Sequence, residues 1–145
     1  MRRLALFVLL SCWMVTGCSD DKFMLTLALH SMDEVKQGMQ RLSIQGEETE
    51  MLESYRLTSA RDSAAYAFDQ GELLYVYVFE VPMEAHDGIR KIEEQTALVD
   101  LVYSPVIYNA NNVILIYMQR YGETTGKQPA IEKLASSLGW QVSKP

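Results

Sequence analysis

Three groups of residues in this chain could do chemistry: a cysteine at position 18, two histidines, and a concentration of tyrosines. Cys18 and Cys12 are the only thiols. Cys12 lies inside the apolar run Leu4 to Val15, so a chain trimmed ahead of Cys18 would hold no disulfide and no cysteine-based metal site. His30 and His86 are isolated, with no second histidine or cysteine at helical spacing to complete a metal pair. His86, beside Glu84 and Asp87 in the first turn of an expected helix, reads as a surface residue. Ser59, Ser63, Ser104, Ser136 and Ser137 stand in neither a G-x-S-x-G nor an S-x-x-K context. The glycines form no phosphate-cradling loop. Glu47, Glu48, Glu50 and Glu53 lack the alternating Asp/Asn and turn glycine of a calcium loop and read as a solvated turn. No two carboxylates stand out as an acid/base couple. The expectation is a protein that is not an enzyme, with no catalytic residues, no metal and no cofactor.

The tyrosines carry the better lead. In Leu73 to Glu80 (LLYVYVFE) the pleat sends Leu74, Val76 and Val78 to one face and Leu73, Tyr75, Tyr77 and Phe79 to the other. The aliphatic face suits packing under helices. The aromatic face is expected to meet Tyr117 of a later strand, with Tyr66 or Phe68 beside it. Left uncovered, Tyr75, Tyr77, Phe79 and Tyr117 would make a candidate binding face or dimer surface, since tyrosine joins a wide contact area to a polar tip. The other reading of the same residues is that the rings cover the outside of the sheet or pack under the N-terminal helix.

The elements that must position these residues follow from periodicity. Phe23, Leu25, Leu27 and Leu29 alternate like a strand. Thr26 as a cap and a face continued through Met32, Val35 and Met39 instead predict a helix over 24–41, which is the reading adopted. Gly46 to Glu50 reads as an acidic turn. Met51 to Leu57, Ala64 to Phe68 and Leu73 to Glu80 are expected strands. Pro82 opens a helix with Ala85, Ile89, Ile92, Thr96 and Val99 along one side. Tyr103 to Tyr108 and Val113 to Gln119 form a hairpin through Asn109-Ala110-Asn111-Asn112. Pro129 opens a last helix with Ile131, Leu134, Ala135 and Leu138 as its stripe and Gly139 as its stop. The order α-β-β-β-α-β-β-α predicts an α+β fold: a two-layer sandwich of an antiparallel five-stranded sheet with helices on one face.

The first residues read as a secretory leader. Arg2 and Arg3 are followed by an apolar run of about a dozen residues, too short for a bilayer span of roughly 20, and then by Thr16, Gly17 and Cys18. Of 13 basic residues, 11 remain once Arg2 and Arg3 are removed, against 19 acidic ones, for a formal charge of −8. A chain this acidic has no electrostatic route to nucleic acid or anionic lipid.

The Val-x-Gly-Cys pattern behind two arginines and an apolar run resembles the bacterial lipobox. The resemblance implies that residues 1–17 are a signal peptide. It also implies that Cys18 is the lipidation site, bearing a diacylglyceryl group, with 18–22 as lipidated cysteine and tether and 23–145 as one α+β domain. Two chains anchor a small domain stably where one, at about 0.8 kcal/mol per buried methylene, is marginal. Leu74 to Phe79, the helix with Gly88 and Glu94-Gln95-Thr96-Ala97, and Asn111 to Tyr117 are similar to small, uncharacterised lipoproteins of Bacillus-type Gram-positive bacteria. That group implies a place on the outer side of the cell membrane, held by the lipid. In a Gram-negative envelope Ser19 would direct sorting to the outer membrane.

Two functions fit. One is a lipid-anchored, extracytoplasmic, non-enzymatic binding module. Its partner would be a protein or a second copy of the chain meeting the aromatic face, and not nucleic acid. The alternative is a small-ligand-binding lipoprotein with a tyrosine-lined pocket of about 300 Å³ or more.

Overall fold

The computed structural model describes residues 28–97, 103–120 and 126–141. Helix α1 (Met32–Arg41) begins where Ser31 can cap it: the Ser31 Oγ accepts the Glu34 N–H at 3.3 Å, and the Glu34 carboxylate accepts the Ser31 N–H at 2.8 Å. This reciprocal capping box satisfies two donors at once. It also explains why the helix starts at Met32, since Ser31 and not Thr26 is its cap; residues 24–27 of the expected helix lie outside the described residues. At the other end Ser43 adopts φ 55° while the Ile44 N–H reaches back to the Met39 carbonyl. That is a Schellman closure with serine at the position where glycine is usual.

The first strand is not where the apolar pattern put it. β1 is Glu47–Thr49, inside the segment expected as an acidic turn, and 51–57 contains a 3-10 turn at Glu53–Tyr55. The acidic residues can form an edge strand because all three side chains stay in solvent. Tyr55 and Leu57, 1% and 7% exposed, use their apolar character to pack down onto the sheet from a loop.

The other elements follow expectation: β2 (Asp62–Ala67), β3 (Leu73–Val78), α2 (Pro82–Thr96), β4 (Tyr103–Ala110), β5 (Val113–Arg120) and α3 (Gln128–Ser137). The five strands form one open antiparallel sheet in the order β1-β2-β3-β5-β4. The fold is α+β. The β4–β5 turn works because Asn111 takes φ 60°, a conformation asparagine tolerates.

The helices divide between the two faces of the sheet instead of sharing one. On the first face α1 and α3 cover Leu74, Val76, Val78, Leu115 and Tyr117. On the second, α2 and the 51–57 loop cover Tyr75, Tyr77, Phe79, Ile114, Ile116 and Met118. The result is three layers. The physical reason lies in β3 and β5: neither offers a polar residue between Leu73 and Phe79 or between Val113 and Met118, so neither face of these strands can be left in water.

The two sheet edges differ. β4 is eight residues long and carries Pro105, which removes a donor and discourages another strand from pairing there. β1 is three residues long and carries no proline.

Gly88 lets α2 lie close on the sheet. A Cβ there would stand 2.7 Å from the Phe79 ring and 3.2 Å from Ile114. Both neighbours are fully buried. Gly88→Ala should therefore lower unfolding stability by about 1–3 kcal/mol despite its better helix propensity. Urea denaturation followed by circular dichroism measures this.

Candidate functional site

The four residues named as a candidate binding face do not share an open face. Tyr75, Tyr77, Phe79 and Tyr117 are all fully buried. Register separates them as well. Leu74 pairs with Tyr117 and Tyr75 with Ile116, so Tyr117 shares the face of Leu74, opposite to Tyr75. Tyr66, which pairs with Leu74, and Phe68 also lie in the core layer under α1 and α3. The rings of β3 pack under α2 and the 51–57 loop, not under the N-terminal helix.

Tyr75 and Tyr77 hold that loop in place. The Tyr77 hydroxyl donates to the Tyr55 carbonyl at 2.6 Å. The Tyr55 and Tyr75 rings sit 5.2 Å apart at 44°. Burial pushes the Tyr75 hydroxyl up to about 12, with the neighbouring Tyr55 and Tyr103 adding to it. Burial raises Tyr77 and Tyr55 too.

A second cluster lies at the β4–β5 turn. Asn112 is 1% exposed, and every polar atom of its side chain is used. Its Oδ1 accepts the His30 N–H at 2.8 Å, while Nδ2 donates to the carbonyls of His30 at 2.9 Å and Phe79 at 2.8 Å. The amide can sit only this way round, because a flip would set oxygen against two carbonyls. Asn111 Nδ2 donates to the Ala28 carbonyl. His30 Nε2 lies 3.1 Å from the Leu138 carbonyl, which can only accept, so Nε2 carries the proton. Its Nδ1 faces the Glu34 carboxylate at 3.8 Å. The Ser31 amide, with help from His30, holds that carboxyl below its ordinary range. Together these contacts clasp residues 28–31 to the turn and to the C-terminal end of α3.

Sequence reading did not find the clasp, since it treated His30 as isolated and Asn109 to Asn112 as turn chemistry alone. The available signal was the surplus of asparagine: the turn needs Asn111, and Asn112 is free for other work.

The clefts lie elsewhere. One of about 300 Å³ between α1 and β1 has Met39, Ile44 and Tyr66 on its walls, with Lys36 and Glu48 beside them. Another, of about 360 Å³, flanks β1 on the opposite face and includes Met51, Leu57 and Ala65. A third, of about 440 Å³, lies by the clasp between Met83, His86 and Asn111. None of these three is lined by Tyr75, Tyr77 or Tyr117. The acidic residues Glu47 and Glu48 belong to the β1 edge, and Glu53 pairs with Arg56 at 3.2 Å. Among the described residues no group of three or more His, Cys, Asp or Glu could hold a metal ion, and no helix is long and apolar enough to cross a membrane.

No family model, curated protein or solved structure matches this chain. Among the described residues the molecule offers its own geometry: a fixed point where residues 28–31 join the β4–β5 turn, and an open sheet edge between two clefts.

Two outcomes follow. Asn112→Ala should cost about 2–3 kcal/mol, because it strands a donor and two acceptors, and should speed amide exchange at 30–31. Asn112→Asp should be no milder at neutral pH, since a carboxylate would face two carbonyls, and should recover as the pH falls. Second, the folded pKa of Tyr75 lies above its unfolded value near 10, so its contribution to stability is complete below pH 10 and is lost as the pH rises towards 12. Tyrosinate absorbance should therefore lag behind that of an unfolded control until the domain itself opens.

Proposed function

We propose that this chain is a lipid-anchored, extracytoplasmic, non-enzymatic interaction module, held to the cell membrane by a diacylglyceryl group on Cys18. The observation that carries the anchor is the leader, in which Arg2, Arg3, a short apolar run and Gly17 converge on Cys18. The geometry of the domain supports the reading. Only ten positions separate Cys18 from Ala28, where the clasp begins. At no more than about 3.6 Å per residue, these positions can span at most about 35 Å.

Register sets the clasp and the β1 edge apart. The clasp is level with Val78 and Val113, whereas β1 pairs with the part of β2 that lies beside Leu73 to Tyr75. Five residues separate Val113 from Met118, which pairs with Leu73. The offset along the strands is thus about 17 Å, with about 14 Å more across three strand spacings. The attachment point and the open edge are at opposite corners of the sheet. A module anchored through the clasp would present β1 away from its attachment.

Replacing Cys18 by Ala in the full chain should move the protein from the membrane fraction to the soluble fraction and abolish labelling by a radiolabelled fatty acid. Retention in the membrane fraction would defeat the anchor.

A further inference from the structure

We infer that the outer edge of β1 receives an extended, basic peptide, which adds as a sixth strand and sets its side chains alternately into the two flanking clefts. The inference rests on the interaction-module reading and names the partner's chemistry.

An edge strand presents unpaired N–H and C=O groups at every second residue, and backbone pairing to such an edge is a recurring mode of peptide capture. Of the two edges here, β4 is obstructed by Pro105, while β1 is exposed along its whole length. The pleat then fixes where an incoming side chain would go. Glu48 pairs with Tyr66, whose ring lies in the layer under α1; Glu47 and Thr49 pair with Ala67 and Ala65. A residue opposite Glu48 would point towards Met39 and Ile44, and its neighbours towards Met51 and Leu57. These clefts, on opposite faces, match the period of two of an added strand. The Tyr66 hydroxyl, at the first cleft, is buried without a hydrogen-bond partner among the described residues.

Charge selects the occupant. Glu47 and Glu48 lie in the edge and Glu50 follows it directly, against one cation at each cleft, Lys36 and Arg56, of which Arg56 is already paired with Glu53. A second copy of this chain would bring the same carboxylates into opposition, which is unfavourable across a strand pair. A peptide with apolar residues at its centre and lysine or arginine at its ends meets both requirements.

The test uses the full chain, purified in detergent, and a capped fluorescent peptide of sequence KVLVRK read by anisotropy. Binding is expected, weakened at least about tenfold by the double variant Glu47→Lys/Glu48→Lys and by replacing the peptide's basic residues with glutamate. A KVLVRK peptide N-methylated at alternate backbone amides should not bind, and this control leaves the protein's folding untouched. Hydrogen exchange should slow at 47–49 in the complex. Equal binding of the N-methylated peptide, protection located elsewhere, or no binding at all would overturn the inference. So would self-association of the chain through the same edge, seen by sedimentation and removed by the double variant. None of these results depends on whether Cys18 is lipidated, so failure here is distinct from failure of the anchor.

Discussion

Everything in this domain is arranged around two strands that cannot touch water. β3 and β5 lie side by side at the centre of the sheet, and each is apolar on both faces. A sheet with one dry face needs one covering layer; this pair needs two. The hydrophobic driving force scales with the apolar area removed from water, about 25 cal/mol per Å², and these strands concentrate that area in the middle of the molecule. α1 and α3 close one side and α2 with the 51–57 loop closes the other. The contacts that let helices approach closely, such as Gly88 against Phe79, serve the same end.

A dry centre leaves little room for polar groups, and Asn112 shows the condition under which one is admitted. It is one of two buried polar or charged residues among those described, with Glu72. It replaces water completely, giving His30 and Phe79 the hydrogen bonds they would otherwise have made with solvent. A hydrophobic side chain of the same size would fill the space and leave three backbone groups unpaired. Asn112 therefore defines where the N-terminal segment meets the domain, something non-directional packing could not do.

Much of the fold was legible because strong local signals coincided with burial. Pro82 and Pro129 marked helix starts, the Asn-rich turn marked a hairpin, and the run from Leu73 to Phe79 marked a strand. What escaped was pairing. Placing Tyr117 beside Tyr75 required the β3–β5 register, and a shift of one residue transfers a side chain to the opposite face. The continuous apolar run already implied two covered faces, yet its aromatic half supports both an open and a covered reading, because tyrosine suits both core and interface. β1 was missed because glutamates are poor strand formers in general; an exposed edge removes the penalty. The clasp joins residues 82 positions apart, and no local pattern encodes that contact.

Trp140 gives this architecture an optical handle. It follows Gly139, whose φ of 100° turns the chain back so that the Trp140 N–H reaches the Ala135 carbonyl. Its indole stands edge-on to Tyr108, with centroids 5.1 Å apart and planes at 85°. Two residues earlier, the Leu138 carbonyl accepts the hydrogen bond of the His30 Nε2–H. The other tryptophan is Trp13, ahead of Cys18. In a chain cut ahead of Cys18, as proposed, tryptophan emission would come from a single indole beside the clasp of His30 with Asn112 and Leu138, and would report on that clasp without any label.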